Sequence, residues 1–264
     1  MLTAEQRAQA ATALLAAETS RQPIRPLVRS HRGIDVTDAY EIQLLNIRRR
    51  LDTGARVVGH KVGLSSAAMQ QMMGVTEPDY GHLLDDMRLS EHEPADASRY
   101  CQPRVEVEVA FLLGEDVPPG CTEAQVLART AYLAPAIELI DSRIEDWRIS
   151  LPDTVADNAS SAAFVLGAAR VPPSHLDVKG IWATLTRNGE VLAKGRSDAV
   201  LGNPATAVAW LAGKVAAFGV HLRAGDVVLP GSCTRAYDAR PGDVFDAEFA
   251  GLGTVHLAFR EGAA

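Results

Sequence analysis

Cysteine is scarce in this chain and follows no pattern. Cys101, Cys121 and Cys233 are three in 264 residues, an odd number with no Cys-x-x-Cys spacing, which argues against a disulfide framework and a cysteine zinc site. A reducing, cytoplasmic setting is the expectation. Long apolar runs are missing as well. No stretch approaches the roughly 18 residues that a bilayer span needs. The opening MLTAEQRAQAATALLAAETS mixes charge with alanine where an export signal would join a basic start to an apolar core. The expectation is therefore no membrane partner. Long basic runs are also absent, and 26 Lys plus Arg against 33 Asp plus Glu leave a net charge of −7, which argues against nucleic acid as a partner. There is no repeat, low-complexity tract or linker. The simplest division is a single domain over 1–264, with a helical N-terminal part at 1–60 and a β-rich catalytic core at 61–264.

What is present is the composition of a globular chain with a sizeable core, 47% hydrophobic and 22% charged. Thr3 with Glu5 and Gln6 predicts a helix that runs to about Ser20. Asp35 or Thr37 caps a second, with Gly54 as its stop. ARVVGHKVG is short and β-branched and predicts a strand, after which SSAAMQQMMG returns to helix with Ser65 or Ser66 as cap. From there strands dominate, at 104–113, 134–140, 162–168, 181–187, 190–195, 226–229, 244–249 and 254–259. Asn188-Gly189 predicts a hairpin between two of them. One helix interrupts at 204–218, with Asn203 as cap, Pro204 in the first turn and Gly219 as stop. The fold class is α+β.

The segment PRVEVEVAF at 103–111 carries the chemistry. Alternation along a strand puts Glu106 and Glu108 on one face and Val105, Val107 and Val109 on the other. Such a face is either solvated, as is usual in an antiparallel sheet, or buried around a cation that relieves the repulsion between the carboxylates. Glu138 sits in another apolar strand, APAIELIDS, where an unpaired charge is equally costly. Three carboxylates of this kind make a hard-oxygen site for Mg²⁺ or Mn²⁺ with positions left for water and a chelating substrate.

Other polar residues interrupt apolar or glycine-rich stretches. Lys61 in VVGHKVGLSS is either a lysine reaching out from a sheet edge or one held near a ligand with a lowered pKa. His60 alternates away from it and reads as a structural or rim histidine. Asp79 in TEPDYGHL reads as a turn residue bonded to backbone or as a catalytic group. Asn158, Ser160 and Ser161 precede a strand as candidate ligand donors. The loop LPGSCTRAYDARPGD offers amides and the hydroxyls of Ser232 and Thr234 to a carboxylate, with Arg235 as a rival for the same anion. Cys233 has no readable His-Asp set around it and reads as a small buried residue.

Taken together, GHKVGLSSAAMQQMMGVTEPDYGHL, PRVEVEVAFLLGEDV, PAIELIDSRIEDW, DNASSAAFVLG and VVLPGSCTRAYDARPGDVFDAEFAGLGTVHLAF resemble the 2-hydroxypenta-2,4-dienoate hydratase family. In wording and order they also resemble the wider fumarylacetoacetate hydrolase superfamily, over residues 30 to 260. The resemblance implies Glu106, Glu108 and Glu138 as metal ligands. It implies Lys61 and Asp79 as active-site residues, and Ser160 and Ser232 near the substrate carboxylate. It further implies a mixed β-roll core, homo-oligomeric assembly and a place in meta-cleavage degradation of aromatic compounds or steroid rings. A downstream aldolase or a related decarboxylase becomes a candidate protein partner.

The expected reaction is hydration of a 2-hydroxy-2,4-dienoate, of penta or hexa chain length, to a 4-hydroxy-2-keto acid. The metal acts as Lewis acid, and Lys61 with Asp79 acts as a coupled pair moving protons. Three rivals stand beside it. One is a decarboxylase of the same family acting on 4-oxalocrotonate-like substrates. Another is a carbon–carbon hydrolase, for which His31 with Glu41 is the one visible pair. The third is a catalytically silent partner subunit.

Overall fold

The computed structural model describes residues 1–66, 69–71 and 74–261. Three helices come first: α1 (Ala4–Ser20), α2 (Leu27–Ser30) and α3 (Val36–Asp52). At the start of α1 the Thr3 hydroxyl accepts from the Gln6 amide, and the Gln6 side chain accepts from the Thr3 amide. Asp35 and Asp38 cap α3 reciprocally in the same way. The Asp38 carboxylate also accepts the Leu2 amide at 2.8 Å, and the Asn46 side chain donates to the Ala11 carbonyl at 2.9 Å. These bonds pin α1 to α3.

The strands are β1 (Val57–Gly63), β2 (Asp79–Leu84), β3 (Arg104–Leu113), β4 (Thr130–Ile140), β5 (Ser161–Leu166), β6 (Trp182–Arg187), β7 (Glu190–Arg196), β8 (Val227–Leu229), β9 (Tyr237–Asp238), β10 (Val244–Phe249) and β11 (Gly253–Ala258). Between them lie the helices α4 (Glu123–Arg129), α5 (Leu151–Ala156) and α6 (Pro204–Ala216). A seven-stranded mixed sheet runs β2-β1-β8-β3-β4-β5 with β9 added to β3, and a four-stranded antiparallel sheet runs β11-β10-β6-β7. The larger sheet curls until its ends meet. Arg88, after β2, bridges Phe164 on β5, and the Leu89 amide donates to the Phe164 carbonyl at 2.9 Å.

Strand register decides what faces the inside of that roll. Opposite residues of paired strands share a face. Glu106 is opposite Glu138, Glu108 is opposite Ala136, and Lys61 is opposite both Gly81 and Leu229. Asp79 is opposite Gly63, two residues from Lys61. All five ionisable groups therefore project from the concave face, at one end. The other end of that face is filled by Leu83, Ala110, Ala134, Ala136, Phe164, Leu166 and Leu229. The opposite face of β3 carries Val105, Val107, Val109 and Phe111 into the main core, which the second sheet closes with Leu185, Phe245, Phe249 and Leu257.

The expected strands and long helices lie within a few residues of where the patterning put them, with Asp35 the cap of α3 and the Asn188-Gly189 turn at φ 53° and 83°. Asp79 is a correction. It opens buried strand β2 and does not sit in a turn, because pairing with the glycine-rich β1 outweighs the turn preference of Pro-Asp. Of the helix expected after Gly63, Ser66 accepts the Met69 amide at 3.2 Å. Ala67, Ala68, Met72 and Met73 lie outside the described residues.

His60 is on the far face from Lys61, buried, with its ring 5.0 Å from that of His82. The Gln43 amide donates to the carbonyls of Tyr80 and Val155, so its oxygen accepts from His82 Nδ1 at 2.8 Å, which fixes the tautomer. Burial pushes His82 down to about 4 and His60 well below the usual histidine range. Each ring is neutral when folded and charges on unfolding below pH about 6.5, so each removes stability as pH falls from there toward 4. Calorimetry of His60→Leu against the wild type is expected to show the stability difference moving in favour of the variant over that range. A difference independent of pH would contradict the buried neutral ring.

Candidate metal centre and active-site cleft

Glu106, Glu108 and Glu138 converge with ligand oxygens within 4.8 Å of one another, and all three are buried. The solvated-face reading of the Glu-x-Glu pair is excluded by the curl of the sheet. Two neighbours orient them: the Gly231 amide donates to Glu108 Oε2 at 2.7 Å, and the Ser161 hydroxyl donates to Glu138 Oε1 at 2.7 Å. Glu108 Oε1 and Glu138 Oε2 are left without hydrogen-bond partners. Burial, more than any other cause, pushes all three carboxyls up, Glu106 to about 7 against the opposing pull of Lys61. Buried acceptor oxygens of one sign with unused lone pairs fit a divalent cation. Among the described residues no other trio of such side chains converges in this way.

The single ammonium nearby is Lys61, whose Nζ donates to the Ala159 carbonyl at 2.9 Å and lies 3.5 Å from Glu138 Oε2. It is buried in a strand flanked on both sides, which removes the sheet-edge reading. The expected lowering of its pKa is also corrected. Burial does act downward, but Glu138, Asp79, Glu106 and Glu108 together outweigh it and hold the amine protonated. Asp79 stands beside it. The Thr154 hydroxyl donates to Asp79 Oδ2 at 2.7 Å, and Oδ1 has no partner. Gly63 makes this approach possible, since a Cβ there would sit 2.2 Å from Asp79 Oδ1 and 3.0 Å from Lys61 Nζ.

A cleft of about 140 Å³ opens from Lys61, Asp79 and Glu106, while Glu108 and Glu138 lie beneath its floor. Leu64, Met69, Ile140, Trp147 and Ile149 form apolar walls. Arg104 stacks on Trp147 at 4.4 Å and pairs with Asp238 at 2.9 Å. Four lining residues, Leu64, Trp147, Ala159 and Ser160, hold positive φ of 51° to 55°. A left-handed non-glycine residue costs about 1–2 kcal/mol and persists where its surroundings over-determine it.

Ser160 lines the cleft with its buried hydroxyl unpartnered. Ser232 does not line it. Its hydroxyl accepts the Val107 amide at 3.2 Å and donates back to the Val107 carbonyl, which anchors the loop. That loop does hold a carboxylate, but it is the protein's own Glu108. Arg235 is exposed over the Tyr237 ring, and Cys233 is buried with its thiol pushed up to about 12 by burial. Glu41 pairs with Arg7, and neither it nor His31 lines the cleft, so the pair considered for a hydrolase is not assembled there. Thr154 escaped sequence reading. The Ser150-x-x-Asp153 capping box signals its helix, but no local signal points to its contact with Asp79.

Metal binding requires ionised glutamates, and in the metal-free protein burial pushes the Glu106 carboxyl up to about 7. Protons and cation compete below that value. Mn²⁺ affinity measured by calorimetry is expected to fall as pH drops from 8 through 7 to 6, and to be lost in Glu106→Gln/Glu108→Gln. Affinity that is flat over this range would contradict a site built on these carboxyls.

Comparisons with known proteins agree with this geometry. The model of the fumarylacetoacetate (FAA) hydrolase C-terminal family matches residues 87–259. The 2-keto-4-pentenoate hydratase of Paraburkholderia xenovorans (strain LB400) is 43% identical over 98% of this chain and 96% of its own. The 2-hydroxyhexa-2,4-dienoate hydratase of Comamonas testosteroni is 42% identical over 92% and 93%. Among solved structures, 4-oxalocrotonate decarboxylase from Pseudomonas putida G7, complexed with magnesium and adipate, superposes with a TM-score of 0.94 at 34% identity, over 98% of this chain and 99% of its own. The chain belongs to the fumarylacetoacetate hydrolase family and, within it, to the 2-keto-4-pentenoate hydratases.

Proposed function

We propose that this protein is a divalent-metal-dependent hydro-lyase that adds water to a 2-hydroxy-2,4-dienoate, giving a 4-hydroxy-2-keto acid. The observation that carries the reading is the trio of buried glutamates, short of positive charge, directly beneath the Lys61–Asp79 pair at the closed end of an apolar-walled cleft. Mg²⁺ and Mn²⁺ suit the all-oxygen ligand set of Glu106, Glu108 and Glu138. When bound, the cation supplies Lewis-acid stabilisation of negative charge on the substrate's carboxylate and C2 oxygen.

The chain's own groups handle the protons. In the first step the C2 hydroxyl loses a proton and C5 gains one, leaving a 2-keto acid with a C3–C4 double bond. In the second, water adds its oxygen to C4 and a proton to C3. Lys61, held as an ammonium, is the donor at hand, and the unpartnered Asp79 Oδ1 is the acceptor beside it. Thr154 holds Asp79 in that orientation. Ser160 offers its free hydroxyl to the substrate, and the apolar walls receive the diene and its tail.

Decarboxylation of a 4-oxalocrotonate is the second reading, favoured by the near-complete superposition on that decarboxylase. Identity of 43% to a hydratase against 34% to the decarboxylase decides for hydration. A cytoplasmic setting, homo-oligomeric assembly and a place in aromatic or steroid ring catabolism belong to the same proposal, as does association with a downstream aldolase or a related decarboxylase. With Mg²⁺ and 2-hydroxypenta-2,4-dienoate, the expected product is heavier than the substrate by one water, and EDTA abolishes its formation. Lys61→Met is expected to lower kcat by about 10²-fold or more while Mn²⁺ still binds. Carbon dioxide release from 4-oxalocrotonate without hydration of the dienoate would favour the decarboxylase, and wild-type kcat in Lys61→Met would remove that residue from the chemistry.

A further inference from the structure

Asn158, Ala159 and Ser160 form one turn of left-handed helix, with φ of 54°, 51° and 55°, closed by the Ser161 amide on the Asn158 carbonyl. L-residues enter this region singly, so three non-glycine residues in a row need a constraint from outside. One lies just before the turn, where Arg143 Nε donates to the Asp157 carboxylate at 2.5 Å and its amide donates to the same carboxylate at 2.9 Å. The other is Asn158 itself. β2 is an edge strand, and its outer side at His82 presents an amide and a carbonyl with no strand to take them. The Asn158 side chain takes both. Its Oδ1 accepts the His82 amide at 2.8 Å, and its Nδ2 donates to the His82 carbonyl at 2.9 Å. A primary amide is a peptide group on a side chain, and here it stands in for the missing neighbour strand. Gly81 admits it, since a Cβ there would lie 2.5 Å from the Asn158 carbonyl oxygen and 2.9 Å from Oδ1.

The turn so held has two products. It aims the Ala159 carbonyl at Lys61 Nζ, 2.9 Å away, and it leaves the Ser160 hydroxyl free in the cleft wall. Asn158 itself does not line the cleft.

We propose that Asn158 is a positioning residue for the reaction: docked on the free edge of β2 at His82, it holds residues 158–160 left-handed, so that Ala159 orients the Lys61 ammonium and Ser160 faces the substrate. The kinetic test rests on the hydratase reading, and the crystallographic test rests on geometry alone. In Asn158→Ala, kcat with 2-hydroxypenta-2,4-dienoate and Mg²⁺ is expected to fall at least about fivefold, with KM rising less than about twofold. Mn²⁺ affinity by calorimetry stays within about twofold of wild type, because the glutamates are untouched. A crystal structure of the variant is expected to show Ala159 outside the left-handed region, with its carbonyl beyond about 3.5 Å from Lys61 Nζ. A kcat loss below fivefold, or a variant that keeps both the turn and the Lys61 contact, overturns the proposal. Should Asn158→Ala fail to fold, Asn158→Gly, which takes a positive φ without strain but has no amide, is judged by the same criteria. If the wild type does not hydrate the dienoate, the hydratase reading fails by itself, and the crystal structure alone decides the role of Asn158.

Discussion

Burying four carboxylates around one ammonium is the constraint that shapes this molecule. Removing a single carboxylate from water costs several kcal/mol even after relaxation, and Glu106, Glu108, Glu138 and Asp79 surround one buried ammonium, Lys61, with Arg104 acting more weakly on Glu106 alone. Hydrogen bonds soften the cost without removing it. Gly231 and Ser161 each satisfy one glutamate oxygen, and Thr154 satisfies one oxygen of Asp79. Glu108 Oε1 and Glu138 Oε2 remain unpartnered, and a divalent cation held by the three glutamates would complete the balance. Substrate chemistry follows from the same imbalance, because a chelating anion is welcome only where the net charge beneath it has been reversed.

The fold supplies the rigidity that such a site needs. The three candidate ligands come from adjacent strands in fixed register, and Lys61 comes from a strand flanked on both sides. Strands hold side chains more precisely than loops, and the aliphatic packing at the far end of the roll keeps water from the underside. Loops also deliver backbone groups. The Gly231 amide and the Ala159 carbonyl are both delivered by irregular chain, and both of those segments are tied to strands by side chains: Ser232 to Val107 and Asn158 to His82. The positive φ values along the cleft wall show where conformational strain is held.

The long helices, most of the strands and the three candidate-ligand glutamates were legible because each has a local cause. Capping residues are separated by three positions, and alternation along β3 separates Glu106 and Glu108 from the valines without reference to any other part of the chain. Asp79 was misread because Pro-Asp carries a turn preference that only pairing with β1 overrides. The anchoring of the Ser232 loop was not legible because its hydroxyl's partner is backbone 125 residues away. The pKa of Lys61 went the wrong way for a related reason. Strand environment alone predicts a desolvated amine, whereas the four carboxylates that reverse the shift come from three other strands.

Sequence by itself determined the two-faced character of β3 and the all-carboxylate make-up of the candidate ligand set, since these depend on residue identity and a period of two. The tertiary structure decided everything that requires two distant segments to meet. It set Glu138 opposite Glu106, brought Thr154 to Asp79, and turned Asn158 from a candidate ligand donor into a substitute for a missing strand. Contacts of that kind are fixed by the curl and register of a sheet, and the free energy that selects them comes from the whole core, so no short window of residues contains them.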